Sequence, residues 1–308
     1  MRTSFIETLC ELAEKDERIW LLCGDLGFSV LECFISRFPK RFVNVGVAEQ
    51  NMAGIAAGLA MSGKIVFTYS IANFPTLRCL EQIRNDICYH KANVKIVAVG
   101  GGFAYGAQGA THHGLEDLAI LRTLPNMTVT APADPVESKA ITKLISELPG
   151  PCYLRLGKAG EPVVHQTKPD FTVGKMIPVK DGRDALIIST GGMLITALEA
   201  QKQTEAKGFS VGVWSSPWLK PFDNEGVMKA AERYPVIISL EEAQVTGGLG
   251  SAIASVVAGL KPRHCQVISL GVPDIFLEKA YCQQTARNQV GLDTASITKT
   301  IIDACQSK

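Results

Sequence analysis

One carboxylate, Glu49, stands where a predicted strand meets a predicted helix. The run Phe42–Val47 is apolar and β-branched, which predicts a buried strand, and the glycine- and alanine-rich run Gln50–Met61 is typical of a helix. Ligands of open α/β sheets usually bind at such strand-to-helix junctions. A glutamate here could contact a ligand, although the first turn of a helix also favours an ordinary surface carboxylate through the helix dipole.

An imidazole is the second candidate group. His112 and His113 follow the glycine-rich run Gly100–Gly109, whose glycines permit a loop that lies close to a ligand. A histidine side chain can donate a hydrogen bond to a developing alkoxide or carry its proton. An ordinary loop histidine is the alternative for His112, and His113 is expected to be structural.

Length and charge narrow the classes of function. A chain of 308 residues suits two domains of ordinary size, each able to bury a core. Lys and Arg number 31 against 30 Asp and Glu, a formal net charge of +1, so nothing indicates binding to nucleic acid or to an anionic membrane. A small-molecule site or a protein partner is favoured instead.

The sequence indicates a cytoplasmic protein. The first residues alternate apolar and charged positions and lack the apolar region of a signal peptide. No run approaches the roughly 18 apolar residues of a membrane span. Nine cysteines occur without a Cys-x-x-Cys pair or zinc-ligand spacing, so we expect reduced core thiols.

Helical and strand-like segments alternate along the chain, which predicts an α/β fold of two doubly wound, mostly parallel-sheet domains. The rhythm lapses after Leu156 and restarts at Ala185. We therefore predict a first domain over 1–165, a linker over 166–182 and a second domain over 183–308. The predicted strands are Ile19–Cys23, Phe42–Val47, Ile65–Tyr69, Lys95–Val99, Met127–Thr130, Ala185–Thr190, Ser210–Ser215, Val236–Leu240 and Cys265–Leu270. The predicted helices between them include Leu77–His90 and Asn224–Arg233.

Motifs in a fixed order cover nearly the whole chain. In the first half they are Gly24–Gly27, Arg37–Phe42, Val47–Gln50, Tyr69–Arg78, Gly106–Gly114, Glu116–Pro125 and Pro132–Glu137. In the second half they are Lys220–Asp223, Glu241–Glu242, Gly247–Ala252, Gly271–Phe276 and Gly291–Asp293. The first set resembles the pyrimidine-binding domain of transketolase-group thiamine diphosphate enzymes, and the second set resembles their C-terminal domain.

The resemblance implies thiamine diphosphate as cofactor. Glu49 matches the family's glutamate that hydrogen-bonds N1′ of the aminopyrimidine and so assists removal of the C2 proton. An aromatic side chain stacks on that ring in the family; Phe74 and Tyr69 are the candidates, and core packing is the alternative for each. Asp25 matches a position near the cofactor.

On the substrate side, His112 matches the histidine that faces substrate hydroxyls and the reaction intermediate. Gly100 and Gly101 stand where relatives place a phosphate-binding histidine or arginine, and Gln108 replaces an aspartate that contacts a sugar hydroxyl. Arg155 matches an arginine used for phosphate, with a solvated strand-end arginine as the alternative. These departures predict that ordinary pentose phosphates are poor substrates.

One family motif is absent from the sequence. In the family, a separate domain with Gly-Asp-Gly and a downstream asparagine holds the diphosphate and Mg²⁺, and the sequence has no such pair. The resemblance therefore implies the C-terminal subunit of a split transketolase without a metal site of its own. It would share thiamine diphosphate with an N-terminal transketolase-like partner subunit that holds Mg²⁺, self-associate as α2β2, and act on sugars or sugar phosphates by transfer of a two-carbon ketol unit.

Three alternatives stay open. Deoxyxylulose phosphate synthase and the β subunit of a 2-oxo acid dehydrogenase share the two-domain plan. The segments Ala48–Gln50 and Gly109–His112 resemble transketolase and the synthase more than the dehydrogenase. A non-catalytic scaffold of the same fold is the third alternative, and the retention of Glu49 and His112 argues against it.

Overall fold

The computed structural model describes residues 1–166, 169–261 and 265–307. The strands are β1 Ile19–Cys23, β2 Phe42–Asn44, β3 Ile65–Ile71, β4 Val94–Val99, β5 Thr128–Thr130, β6 Cys152–Leu156, β7 Ile177–Lys180, β8 Ala185–Ser189, β9 Val211–Ser215, β10 Trp218–Lys220, β11 Val236–Gln244 and β12 Gln266–Val272. The α-helices are α1 Arg2–Lys15, α2 Glu32–Arg37, α3 Glu49–Met61, α4 Leu80–Gln82, α5 Asp117–Thr123, α6 Pro135–Glu147, α7 Met193–Glu205, α8 Asn224–Arg233, α9 Leu249–Ala258, α10 Gln283–Gln289 and α11 Thr294–Gln306.

The strands form two mostly parallel sheets, which confirms the predicted α/β fold. The first has seven strands in the order β10-β5-β6-β4-β3-β1-β2, and the second has five in the order β12-β11-β8-β9-β7. Only β10 and β7, each at one edge of its sheet, pair antiparallel within the described ranges. The carboxyl ends of the parallel strands therefore share one edge in each sheet, where ligands of such folds bind.

Strand alternation divides the first sheet into two faces. Along β3, Ile65, Phe67 and Tyr69 pack into the core under α1. Val66 lies on the opposite face, in the core under α3. Because successive side chains of a strand point to opposite faces, residues one apart on β3 cannot share a site on one face.

The second half of the chain contributes a strand to the first sheet. Strand β10, from the second half, is the antiparallel edge strand of the first sheet. The Arg122 guanidinium ties the halves together as well, because it donates to the carbonyls of Leu219 (3.2 Å) and Gly248 (2.9 Å). Strand β7, inside the predicted 166–182 linker, belongs to the second sheet, while residues 167 and 168 of that linker lie outside the described residues. The domain limits themselves stay a prediction.

Several predicted elements need correction. The strand predicted over Phe42–Val47 ends at Asn44 and is a half-buried edge strand, because the Asn44 side chain accepts from Gly46 N (3.0 Å) and turns the chain toward α3. The helix predicted over Leu77–His90 is a succession of a 3₁₀ turn, α4 and the π-helical segment Ile83–Tyr89. Helix α10 was not predicted.

Among the described helices, none combines the length and the apolar character that a membrane span requires.

Candidate active site

Glu49 is the first residue of α3, and its side chain is buried, with 1% of its surface exposed. Oε1 accepts a hydrogen bond from the Ser70 hydroxyl at 3.2 Å, and Oε2 lies 2.7 Å from Nη1 of Arg78. The loop after β1 closes a further side, since a Cβ at Gly24 would lie 3.4 Å from Oε1. The carboxylate is therefore held in a fixed direction and is not the exposed charge that the helix dipole alone would explain.

Arg78 links Glu49 to Phe74. Its guanidinium carbon lies 4.8 Å from the centroid of the Phe74 ring while Nη1 donates to Glu49. The Arg78 side chain is 45% exposed, so solvent reaches this pair from one side. A planar cation thus makes at once a hydrogen bond to the carboxylate and a contact with the aromatic face. The geometry shows that one planar group can contact Glu49 and Phe74 together.

His112 also contacts Phe74. The two ring centroids are 5.2 Å apart with an interplanar angle of 78°, an edge-to-face contact. Nδ1 of His112 lies 3.0 Å from the Thr111 hydroxyl, and the Asn73 amide donates to the Thr111 carbonyl. The structure therefore connects a carboxylate, an aromatic ring and an imidazole through Arg78 and Phe74.

His113 points into the protein. It is 5% exposed and packs edge-to-face on Phe103 with centroids 5.0 Å apart. Burial lowers the pKa of the His113 imidazole, which favours the neutral ring at physiological pH. This placement favours the structural role expected for His113.

Tyr69 does not lie beside Glu49. It is 1% exposed and stacks on Phe5 of α1, with centroids 6.1 Å apart, on the face of the sheet opposite to Ser70. Burial raises the pKa of its hydroxyl. The structure therefore corrects the expectation that Tyr69 stacks on the cofactor, because the Tyr69 side chain packs in the core. Phe74 is the aromatic residue that Arg78 connects to the Glu49 carboxylate.

Asp25 and Gln108 are exposed side chains. Asp25 follows Gly24 in the loop after β1, and its Oδ1 accepts from the Asn44 amide at 2.9 Å. Gln108 ends the 3₁₀ turn Gly106–Gln108, two residues before the turn that carries His112. Both side chains reach solvent at the carboxyl edge of the sheet. Their roles stay predictions.

Arg155 lies at the joint between the two sheets. It is 8% exposed, so it is not a solvated strand-end arginine. Nη2 donates to the carbonyls of Gly114 (2.6 Å) and Glu242 (2.8 Å), and Nε lies 3.3 Å from Oδ2 of Asp117. Gly101 leaves room for this side chain, because a Cβ there would come 1.9 Å from Nε. Arg155 contacts the loop that follows His112, and its anion-binding role stays a prediction.

The residues fit one end of the expected cofactor. Glu49 and Phe74 supply a fixed carboxylate and a ring for an aminopyrimidine. Over 1–166, 169–261 and 265–307, no group of three or more His, Cys, Asp or Glu side chains is placed to hold a metal ion. Mg²⁺ with a diphosphate needs oxygen ligands in octahedral geometry. The described residues therefore fit the pyrimidine end of the cofactor.

Sequence reasoning missed two members of the site, Ser70 and Arg78. Ser70 could have been found from strand alternation, since a residue one position from Tyr69 must face the other side of the sheet. The pairing of Arg78 with Glu49 joins residues 29 positions apart and gives no local signal.

Two family models account for most of the chain. The transketolase pyrimidine-binding domain matches residues 1–160, and the transketolase C-terminal domain matches residues 174–297. The chain therefore belongs to the transketolase family.

Individual relatives match the chain along almost all of their own lengths. An apulose-4-phosphate transketolase subunit of Phocaeicola vulgatus is 40% identical over 98% of this chain and 96% of its own. The 6-deoxy-6-sulfo-D-fructose transketolase subunit SqwH of Clostridium sp. is 36% identical over 90% of this chain and 86% of its own. A solved structure described as a split gene transketolase, inactive beta4 tetramer, is 38% identical with a TM-score of 0.88, covering 99% of this chain and 97% of its own.

Proposed function

We propose that the chain is the C-terminal subunit of a thiamine diphosphate-dependent, transketolase-like enzyme that transfers a two-carbon ketol unit from a ketose to an aldehyde. The observation that carries the proposal is the buried Glu49 carboxylate, which Arg78 links to Phe74, together with the contact of Phe74 with His112. A scaffold that had lost catalysis would gain nothing from an ionisable group buried at a ligand edge, because burial of a charge is unfavourable.

Each residue has a distinct part in this scheme. Thiamine diphosphate, when bound, would supply the nucleophilic carbon chemistry that ketol transfer requires. Glu49 holds a proton against the aminopyrimidine nitrogen, and Ser70 and Arg78 keep its two oxygens in place. Phe74 offers its ring face to the pyrimidine.

The substrate would approach from the His112 side. The imidazole, oriented by Thr111 at 3.0 Å, donates to an oxygen that gains negative charge. Gln108 can hydrogen-bond a sugar hydroxyl, and Asp25 lies on the cofactor side next to Gly24. These assignments follow the order of the residues along the carboxyl edge of the first sheet.

A partner subunit completes the active site. We propose an N-terminal transketolase-like subunit that carries the Gly-Asp-Gly motif, holds Mg²⁺ and the diphosphate, and joins this chain in a cytoplasmic α2β2 assembly. The relatives that are named as subunits support a divided enzyme. The solved relative described as an inactive tetramer of β chains supports self-association of this type of subunit without activity.

The proposed substrates are sugars or sugar phosphates other than ordinary pentose phosphates. The names of two relatives specify a 4-phosphate and a 6-sulfo sugar, both of which carry an anionic group. In this chain Arg155 fills the space beside Gly101, so a phosphate contact must be arranged differently from the family pattern.

Reconstitution tests the proposal. The purified chain should show no ketol transfer, and addition of the partner subunit, thiamine diphosphate and Mg²⁺ should produce it. Robust turnover by the chain alone would contradict the proposed division. Formation of deoxyxylulose phosphate from pyruvate, or reductive acylation of a lipoyl domain, would instead assign the synthase or the 2-oxo acid dehydrogenase. A correctly assembled complex without any of these activities would favour the scaffold.

A further inference from the structure

The loop that carries His112 is closed at its base. Gly102 and Gly114 form an antiparallel bridge, in which Gly102 N donates to the Gly114 carbonyl at 2.7 Å and Gly114 N donates to the Gly102 carbonyl at 3.0 Å. The segment 102–114, here called the substrate loop, carries Gln108 and His112 between these two ends. Because the ends are bonded to each other, a shift of the base moves both side chains.

Glu242, from the second sheet, holds the base of the substrate loop. It lies on β11, is 7% exposed, and its Oε1 accepts a charge-assisted hydrogen bond from the Phe103 amide at 2.6 Å. Gly102 permits this approach, because a Cβ there would lie 2.7 Å from Oε1 of Glu242. The main-chain carbonyl of Glu242 accepts from Nη2 of Arg155 (2.8 Å), which also donates to the Gly114 carbonyl (2.6 Å). Glu242 is therefore tied to the substrate loop near both of its ends.

Helix α10 fixes the direction of the Glu242 carboxylate. The Gln283 amide donates to Oε1 at 3.0 Å and to Oε2 at 3.2 Å, and Nε of Arg287 donates to Oε2 at 2.9 Å. Nη2 of Arg287 also contacts Oε2. A buried charge pair is stable when hydrogen bonds satisfy its remaining lone pairs. The ion pair therefore lies at Oε2, and Oε1 is directed at the Phe103 amide.

The substrate loop also packs on the second half of the chain. Phe103 is fully buried in the core of the second sheet, and Leu115, just after the loop, lies in the same core. The Leu115 carbonyl accepts from Gln244 N at 2.9 Å. At Gly106, a Cβ would lie 2.7 Å from the main-chain oxygen of Tyr281. Residues of the second half thus place a loop that belongs to the first half.

We propose that Glu242 is a positioning residue for ketol transfer: its carboxylate holds the Phe103 amide and so places Gln108 and His112 against the substrate. The inference rests on the proposed function and gives the second half of the chain a part in it. The two side chains that bond the Glu49 carboxylate both lie in the first half. A change at Glu242 should therefore act on the substrate side of the reaction and not on the cofactor.

Two conservative variants separate the reach of the side chain from its charge. Glu242→Asp keeps the negative charge near Arg287 but withdraws the carboxylate by one C–C bond, about 1.5 Å, so the hydrogen bond to the Phe103 amide is lost. Glu242→Gln keeps an acceptor oxygen at the same reach and loses the charge. In the assembled enzyme, Glu242→Asp should lower kcat/KM for ketol transfer about ten- to a hundredfold, as a misplacement of about 1 Å does, and Glu242→Gln should retain most of it. A role as a structural ion pair alone predicts the opposite order.

Two exchange measurements locate the effect. In the chain alone, amide hydrogen exchange of peptides that cover 102–114, measured by mass spectrometry, should be faster in Glu242→Asp than in the wild type and Glu242→Gln. Hydrogen–deuterium exchange at C2 of thiamine diphosphate bound to the assembled enzyme should keep the wild-type rate in both variants, since Glu49 keeps its partners.

Asp223→Ala is the matched control. Asp223 is also 7% exposed, accepts from a distant amide, Met176 N, at 3.0 Å, and pairs with Lys175 at 3.0 Å. This variant removes a comparable buried carboxylate from the second half of the chain. It should leave the exchange of the substrate loop and kcat/KM unchanged.

Wild-type kcat/KM in Glu242→Asp, or an equal or greater loss in Glu242→Gln, would overturn the proposal. Unchanged amide exchange of 102–114 in Glu242→Asp would also overturn it, as would slower C2 exchange, which would assign the effect to the cofactor side. Absence of ketol transfer in the assembled wild type would contradict the proposed function instead. Amide exchange of the chain alone would then still decide whether Glu242 holds the substrate loop.

Discussion

Replacement of Arg78 by alanine tests whether the Arg78–Glu49 ion pair holds the candidate carboxylate in place. The two charged groups are 2.7 Å apart, with side-chain exposures of 45% and 1%. In the Arg78→Ala variant, the Ser70 hydroxyl is the one side-chain partner that the buried carboxylate keeps among the described residues. Helix α3, which begins at Glu49, should therefore open more readily.

The stability that Arg78→Ala is expected to remove lies between two limits. Removal of one partner from a fully buried pair costs about 3–5 kcal/mol, and an exposed pair contributes about 0.2–1 kcal/mol. Because one member is buried and the other is half exposed, we expect about 1–3 kcal/mol. Loss of the Arg78 contact with the Phe74 ring adds about 0.5 kcal/mol, the value for an exposed cation–π pair.

Native-state hydrogen exchange of the α3 amides measures this cost locally, so it does not depend on both domains unfolding together. Arg78→Ala should cost much less in the Glu49→Gln background, where no charge is left unpaired, and the difference gives the coupling energy. Arg84→Ala is the control, since Arg84 is a neighbouring exposed arginine that donates to Asn85 and pairs with no carboxylate among the described residues. Equal costs of Arg78→Ala in the two backgrounds would refute the reasoning.

Three further predictions follow from the site and its surroundings. Phe74→Leu should reduce ketol transfer by the assembled enzyme and weaken cofactor binding, whereas Tyr69→Phe should retain both; steady-state kinetics over a range of cofactor concentrations decides, and the reverse result would restore Tyr69 as the stacking ring. Burial alone would lower the pKa of His165, but the hydrogen bond and charge of Glu137 (2.8 Å) raise it overall. The His165–Glu137 pair therefore stabilises the fold fully below the unfolded pKa of about 6.5, and this stabilisation is lost as pH rises through the higher folded pKa. His165→Gln should lower the thermal midpoint more at about pH 6 than at about pH 9. An equal decrease of the midpoint at both pH values would contradict this. Ordinary pentose phosphates should show kcat/KM one to two orders of magnitude below the preferred substrate, the effect of about one charged hydrogen bond of 1.5–3 kcal/mol; equal values across a substrate panel would show that phosphate recognition follows the family pattern.

Local patterns were sufficient to predict the strand-to-helix junction that carries Glu49. The junction before α3 follows from a β-branched run that meets a helix rich in small residues, and the structure places Glu49 there as the first helical residue. The helix Asn224–Arg233 was predicted with its observed limits, because Asp223 caps it through Gly226 N and its apolar positions recur at helical spacing. Such features depend on neighbours in sequence.

Contacts between distant segments were not predictable in this way. Trp218–Lys220 is only three residues long, and its place at the edge of the first sheet depends on the register with Thr130 and Val129. Arg155 was expected to face a ligand or solvent, and its bonds to Gly114 and Glu242 arise only when the two sheets pack together. These features depend on tertiary packing, which the sequence near each residue does not indicate.

The rate of hydrogen–deuterium exchange at C2 of thiamine diphosphate bound to the assembled enzyme tests the central claim most directly. Glu49→Gln should slow this exchange by about 10²–10⁴, the usual contribution of acid–base assistance, because the amide cannot exchange a proton with the pyrimidine. Circular dichroism and the mass of the complex should remain those of the wild type, which separates chemistry from folding and assembly. Exchange at the wild-type rate in the intact Glu49→Gln complex would contradict the role assigned to Glu49.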